Sequence, residues 1–378
     1  MCSQSSSTNL HLPSLSIKGF RGIRDLAIKR LGHVTLIAGK NNSGKTSILE
    51  AVRLLMEGGS LGTIREILQL REENISLEEE TEGVAFPASA LFHGFPELDA
   101  ISQPILASTC DDSRQLKMEV KWFLEEFDKE GIHRLVAEKG ISEWMPDHIP
   151  ALVVTAEEEE GKVYTVDRLY RLISDRSIRS YFASSQKPPL SRFINSSSTE
   201  RTSTLGSLWD NISLTDKEPY ILEALQIIDE SISAVSVIGD PSLRNRPRRA
   251  IVRSKEFSRP VPLRSFGDGL NRLFGIILSL VNISGGVLLI DEFENGLHHT
   301  IQTEAWNLIF RLAKKLNIQI LATTHSFDSV VTFARVAVAH EELDGLLVRI
   351  DQFGDQMRAV EYTEQDLQVA ALQRIEVR

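Results

Sequence analysis

The pattern of apolar and polar positions divides the chain into strand-like and helix-like stretches. Leu15-Ser16-Ile17-Lys18-Gly19-Phe20-Arg21-Gly22-Ile23 alternates and predicts a first strand, with a second at Leu26-Ala27-Ile28. Val34-Thr35-Leu36-Ile37-Ala38 predicts a third, and the run Ser47-Ile48-Leu49-Glu50-Ala51-Val52-Arg53-Leu54-Leu55 has helical spacing. Between about residues 103 and 170 the period is two, as in Leu116-Lys117-Met118-Glu119-Val120-Lys121-Trp122 and Val163-Tyr164-Thr165-Val166. That period predicts an antiparallel region with one buried face, and the acidic run Glu157 to Glu160 followed by Gly161 reads as a hairpin tip. Ile221, Leu225, Ile228 and Ile232 form a helical stripe, and a long apolar helix follows from Leu273 to Val281. Val287-Leu288-Leu289-Ile290 and Ile318-Gln319-Ile320-Leu321-Ala322-Thr323 read as strands buried on both faces. The class is α/β.

The stretches between these elements have their own character. Glu72, Glu73, Glu78, Glu79, Glu80 and Glu82 read as a solvated loop. Residues 185–205, rich in Ser, Thr and Pro, read as a long loop or domain-edge linker. Arg244, Arg246, Arg248, Arg249, Arg253, Lys255 and Arg259 form a basic cluster opposed only by Glu256. Two readings of it stand side by side, the solvated face of a hairpin and a track for a phosphate backbone. The net charge of −10 argues against a broad nucleic-acid surface but leaves room for such a local track. Cys2 and Cys110 are the only cysteines, which excludes a disulfide framework and predicts a cytoplasmic home. No apolar run is long enough to cross a bilayer, and the polar residues 1–12 read as a flexible tail.

Gly39-Lys40-Asn41-Asn42-Ser43-Gly44-Lys45-Thr46, with Ser47 after it, has the form of a phosphate-binding loop, and it sits between a predicted strand and a predicted helix. The glycines let successive N–H groups face an anion, and the helix adds the positive end of its dipole. Lys45 is placed to reach the terminal phosphates of ATP and Thr46 to hold Mg²⁺. At the end of the 287–290 strand, Asp291 is a second Mg²⁺ ligand and Glu292 a base for the attacking water. His325, just beyond the 318–323 strand, is a contact for the γ-phosphate. Ser265, Gly267 and Gly269, ahead of the long helix, form a second anion site, which one nucleotide does not need. That surplus suggests a site for a partner's nucleotide.

Taken in order, the phosphate loop, Ser265-Phe266-Gly267-Asp268-Gly269, Leu288-Leu289-Ile290-Asp291-Glu292-Phe293-Glu294-Asn295-Gly296-Leu297-His298 and Thr323-Thr324-His325-Ser326 resemble an ABC-type ATPase head of the RecF/SMC class. More narrowly they resemble the ATPase of OLD-family proteins, in which Asp-Glu-x-Glu-x-Gly-Leu-His recurs. Phe20-Arg21-Gly22-Ile23 also resembles the first strand of such heads. The resemblance covers about residues 12–60 and 260–340. It implies a P-loop ABC-type head over residues 13–378, with a mixed central sheet, an antiparallel β subdomain and a helical subdomain. Residues 60–260 would hold the β and helical insertions.

It also implies a head-to-tail homodimer, open to higher oligomers, with ATP sandwiched at the interface. Ser265 and Gly267 of one copy would then cap the γ-phosphate on Lys45 of the other, with residues 295–298 crossing between copies. Gln69 and Gln103 are candidates for a γ-phosphate-sensing glutamine. The nuclease domain of OLD proteins needs an Asp-x-Asp, and after His325 the chain contains Asp344, Asp351 and Asp355 but no Asp-x-Asp. The expected function is therefore an ATPase that controls a separate effector, a nuclease, in anti-phage defence. The alternative is a RecF-like repair ATPase that contacts DNA through Arg244 to Arg259.

Overall fold

The structure is a computed structural model. It describes residues 10–73, 75–76, 84–85, 88–97, 100–127, 133–137, 148–156, 162–166, 172–173, 191–196, 202–239, 248–340, 342–354, 356–362 and 366. Residues 1–9 of the predicted tail, Glu78 to Glu82, the 157–161 tip, and Arg244 and Arg246 lie outside them.

The chain opens with the hairpin β1 (Leu15–Phe20) and β2 (Ile23–Ile28), then β3 (Val34–Ala38), α1 (Lys45–Met56) and α2 (Leu61–Leu70). The first strand ends sooner than its alternation predicted. Arg21 and Gly22 turn the chain, with Arg21 at φ 51, so Ile23 pairs back on Phe20 from the second strand. A small ladder of β4 (Ile75–Ser76) and β5 (Val84–Ala85) follows. Next come β6 (Ile105–Ser108), β7 (Gln115–Phe127), β8 (His133–Ala137), β9 (His148–Ala156), β10 (Lys162–Val166) and β11 (Leu172–Ile173). They join β1 and β2 in one antiparallel sheet of order β11-β10-β9-β7-β6-β1-β2, with β8 on β7.

The central sheet has the order β12-β16-β17-β3-β18-β19. Its members are β12 (Ser191–Ile194), β16 (Val287–Ile290), β17 (Gln319–Thr324), β3, β18 (Gly345–Phe353) and β19 (Gln356–Tyr362). All neighbours are parallel except the last hairpin, β18 and β19, which is antiparallel. The β12 strand corrects the linker reading of 185–205. Ser191-Arg192-Phe193-Ile194 is a short edge strand, too polar to register as apolar alternation, yet it pairs in register with Val287 to Ile290.

The runs read as buried on both faces are so because the central sheet is covered on both sides. Leu36, Leu288, Ile290, Ile320 and Ala322 point into one core with α3 (Thr202–Ile212), α4 (Glu218–Gln226), α5 (Asp268–Asn282), α6 (His299–Leu316) and α7 (Phe327–Ala339). Ile37, Leu289 and Leu321 point into the other, with α1, α2 and the antiparallel sheet. At about 25 cal/mol per Å² of apolar area removed from water, these two cores dominate the folding energy. The stripe expected over 221–232 stops early. α4 ends at Gln226, and Ile232 starts β13 (Ile232–Ile238), which pairs with β14 (Arg249–Ser254) and then β15 (Val261–Pro262). Ile232 still packs in the same core, so its burial was legible although its conformation was not.

Candidate functional site

The parallel strands β12, β16, β17 and β3 end at one edge of the central sheet, and the site is built there. An open parallel sheet offers its ligand crevice at the carboxyl ends of its strands. From β3 the chain enters the phosphate loop, where Asn41 and Asn42 are exposed and Ser43 is buried. Gly44 caps α1 at φ 79, in the left-handed region, where a Cβ would also lie 2.9 Å from Met357 Cε. Ser47 lies in the first turn of α1, where Arg71 comes within 3.5 Å of its hydroxyl.

The loop fits a nucleotide's phosphates. The Lys45 ammonium spans its mouth, donating to the carbonyls of Gly39 at 2.8 Å and Lys40 at 2.7 Å. Burial pushes that ammonium below the usual lysine range, against the pull of Asp291, Glu292 and Glu294. An anion at the loop would supply the counter-charge this buried cation needs. Ser43 Oγ is also buried without a hydrogen-bond partner, and buried polar atoms ordinarily have one.

Asp291 emerges from β16 directly beside this loop. The Thr46 hydroxyl donates to its two carboxylate oxygens at 3.0 Å each, and the Thr323 hydroxyl donates to Oδ1 at 2.7 Å. A hydroxyl and a carboxylate in contact are the hard-oxygen donor set that suits Mg²⁺. Glu292 follows at φ 47, a left-handed conformation unusual for a non-glycine residue, with its N–H on Thr323 Oγ1 at 2.8 Å. Phe293 pins the turn from below by stacking on Trp306, ring centroids 3.9 Å apart. From β17 the chain brings His325, whose Nδ1 lies 3.2 Å from Glu294 Oε1 and 3.6 Å from Glu292 Oε1.

The family described as "AAA domain, putative AbiEii toxin, Type IV TA system" matches residues 34–332, from the strand that feeds the phosphate loop to the helix beyond His325. The chain belongs to this AAA-domain family of ATPases. An ATP/GTP phosphatase of Helicobacter pylori is 22% identical over 337 residues, 84% of this chain and 86% of that protein. The DNA replication and repair protein RecF of Pseudoalteromonas translucida is 44% identical over 54 residues, 14% of this chain and 15% of that protein. Among solved structures, an SMC head bound to the C-winged helix domain of ScpA aligns with 95% of this chain and 100% of that one, at 12% identity and a TM-score of 0.49.

Within this AAA domain the structure brings Lys45, Thr46, Asp291, Glu292 and His325 to the same sheet edge. Ser265, Gly267 and Gly269 do not join them. Ser265 is exposed on a 3-10 turn (Leu263–Phe266), and the residue that caps α5 is Gly267, at φ 96. Gly269 packs so closely that a Cβ would meet Gly296 O at 2.6 Å. That contact joins the turn before α5 to the loop after Glu292 in one exposed surface. Gln69 is exposed on α2, and Gln103 lines a separate cavity of about 470 Å³ with Lys18, Arg24 and His93. The residue that leaves the strand next to Asp291 is Asn195, because β12 pairs in register with β16 and Asp291 N–H donates to Ile194 O.

The sequence reading gave no role to two residues of the site. Arg272, only 3% exposed near the start of α5, donates to the backbone carbonyls of Asp291, Glu292 and Asn195. It ties together two strand-end segments, after β12 and after β16, that lie far apart in sequence. Its signal was a lone Arg in an apolar helix, which periodicity alone treats as an interruption. The second is Glu294, whose Oε1 accepts the N–H groups of His325 at 2.9 Å and Ser326 at 3.1 Å, clamping the His325 turn.

The acidic stretch after α2 also needs correction. Glu73 accepts both terminal nitrogens of Arg21, at 2.7 and 2.9 Å, and Arg21 Nε lies 3.0 Å from Glu50 of α1. Burial raises the Glu50 carboxyl above its usual range, opposed by Arg21 and Arg71. This network ties the β1–β2 turn to the helix that follows the phosphate loop, so Glu73 is structural rather than merely solvated. In the basic cluster, Arg248 is likewise occupied: its guanidinium forks onto Asp210 of α3 and donates to the carbonyls of Gly206 and Val237, 3.1 Å each. Glu256 is therefore not the cluster's only opposing charge.

Proposed function

We propose that this AAA-domain protein is an OLD-like, Mg²⁺-dependent ATPase. A second copy, bound head to tail, completes its site, and the ATP cycle controls a separate effector, a nuclease, in defence against phage. The reading takes residues 13–378 as one ATPase domain working in the cytoplasm. Among the described residues no helix is long and apolar enough to cross a membrane.

One observation carries the proposal. The Thr46–Asp291 contact at 3.0 Å brings the phosphate loop and a strand-end carboxylate together within one chain, while Ser265 and Gly267 stand exposed. Lys45 would turn from the loop carbonyls to the β- and γ-phosphates. Thr46 and Asp291 would hold Mg²⁺, which would supply positive charge to offset that of the phosphates. Glu292, beside the metal position, would accept the proton of the attacking water, and His325 would steady the γ-phosphate with Glu294 behind it. The surface joining Gly269 to Gly296 is the one a partner copy would meet. The motif Asp291-Glu292-x-Glu294-x-Gly296-Leu297-His298 supports the OLD-like assignment, and the H. pylori relative's description supports nucleotide hydrolysis.

Complementation tests the shared site. Lys45→Ala should lose ATP binding and Ser265→Arg should lose turnover, each alone. Mixed, they should recover part of the turnover, because one composite site in each mixed dimer is intact. Two inactive variants that stay inactive together would rule out a site shared between copies. A Lys45→Ala protein that still binds a fluorescent ATP analogue as tightly as wild type would remove the phosphate loop from the proposal.

A further inference from the structure

The sheet of β13, β14 and β15 turns one face to the helical core, burying Ile232, Val237 and Val252. Side chains alternate along a strand, so Arg249 and Arg253 share the outward face. Opposite them on β13 stand Ile238 and Ala234, and no carboxylate lies on that face of the paired strands. Lys255 and Arg259 continue the row in the loop to β15, and Arg264 follows on the 3-10 turn; all five cations are exposed. None has an ion-pair partner among the described residues, although this acidic chain pairs Arg21, Arg53, Arg71, Arg248 and Arg349. From Arg249 to Arg253 the strand spans about 13 Å at ~3.3 Å per residue, longer than a single phosphate group. The chemistry that matches a row of unneutralised, mostly arginine cations is a polyphosphate backbone.

Phe257, in the same loop and 48% exposed, lies edge-on to Phe266, ring centroids 5.9 Å apart at 87°. Phe266 sits between Ser265 and Gly267 in the turn that leads into α5, and Arg272 of α5 holds the carbonyls of Asp291 and Glu292. The Phe257–Phe266 contact, the backbone of α5 and the Arg272 hydrogen bonds thus link the basic loop to the Asp291 end of the site.

We propose that the outward face of β14 and its following loop binds a nucleic-acid backbone, and that the Phe257–Phe266 contact passes this binding to ATP turnover. The second half rests on the ATPase reading; the first does not. The probes are fluorescein-labelled duplex and single-stranded oligonucleotides, read by anisotropy, with poly-glutamate as a non-nucleic polyanion. Four phosphate contacts predict an affinity that falls about 100-fold between 50 and 200 mM salt. The triple variant Arg249→Gln, Arg253→Gln, Lys255→Gln should weaken binding at least tenfold at low salt while keeping the wild-type circular dichroism. Phe257→Ala should keep oligonucleotide affinity and basal turnover but lose the change in turnover that the oligonucleotide causes. Equal affinity of the triple variant, or equal binding of poly-glutamate, overturns the binding half. An oligonucleotide response unchanged in Phe257→Ala overturns the coupling. If wild type shows no hydrolysis at all, the ATPase reading fails while the anisotropy result still decides the binding half.

Discussion

Two stretches of this chain look alike as sequence, each a glycine-bearing turn at the start of an apolar helix, and the fold treats them in opposite ways. The phosphate loop is enclosed: Ser43 and Lys45 are buried, and Thr46 meets the carboxylate of Asp291, 245 residues away. The turn before α5 is open: Ser265, Gly267 and Asp268 are exposed, and Gly267 caps the helix without a side-chain hydrogen bond. A helix N-terminus favours anions wherever it lies. What differs is the supply of partners. The first turn has a strand-end carboxylate beside it, while the second meets the backbone of Gly296 and the ring of Phe257. In the proposed reading the enclosed turn serves chemistry in one copy, and the open one meets another surface.

The comparison can be broken most forcefully at the enclosed site. Glu292→Gln is expected to lower the ATP turnover number by about 10²- to 10⁴-fold with ATP affinity retained, since it removes only proton acceptance. Near wild-type turnover would mean that another group takes the proton. Arg272→Met should come next. It deprives three strand-end carbonyls of a buried charged donor, which costs about 3 kcal/mol in denaturant unfolding. A midpoint shift too small to measure would show that the strand ends hold themselves.

The open turn gives smaller effects. Gly269→Ala places a Cβ 2.6 Å from Gly296 O, and separating the two backbones should cost about 2 kcal/mol. Turnover should fall while binding of ATP to one copy, measured by equilibrium dialysis, stays as in wild type. Loss of ATP binding instead would mean that the two turns are mechanically linked within one chain. The smallest effect is outside both turns, at Asp210→Asn. Arg248 holds the Asp210 carboxyl below its usual range. A lowered native value stabilises the fold above the ordinary carboxylate range, and that stability is lost as pH falls through the lowered one. The melting temperature of the variant should therefore depend less on pH between about 5 and 3 than that of wild type.

The reading from sequence went furthest where one local rule suffices. Val34 to Ala38 and Val287 to Ile290 are apolar without interruption because both faces of their sheet are covered, and both were found as strands. Ser191 to Ile194 belongs to the same sheet but sits at its edge, where a partly polar strand is tolerated, so nothing in its pattern announced it. Ile232 was placed on a helix because one buried residue suits either a helical stripe or a strand face. The chain's charges were harder still. Arg248 and Arg249 are adjacent and identical as letters, yet one is fastened to Asp210 and the other has no ion-pair partner among the described residues.

By itself, then, the sequence singled out the candidate residues for the proposed chemistry. Gly39 to Thr46, Asp291, Glu292 and His325 could be named because a phosphate loop and strand-end carboxylates impose their spacing over a few neighbouring positions. Only the tertiary structure decided their company. Arg272 beneath Asp291 and Glu292, Glu294 behind His325, Glu73 on Arg21 and Gly269 against Gly296 are contacts between segments whose separation no local period records. The physical reason lies in the parallel sheet. It gathers strand ends from distant parts of the chain along one edge, and which side chains then touch depends on strand order and register, quantities that exist only once the chain has folded.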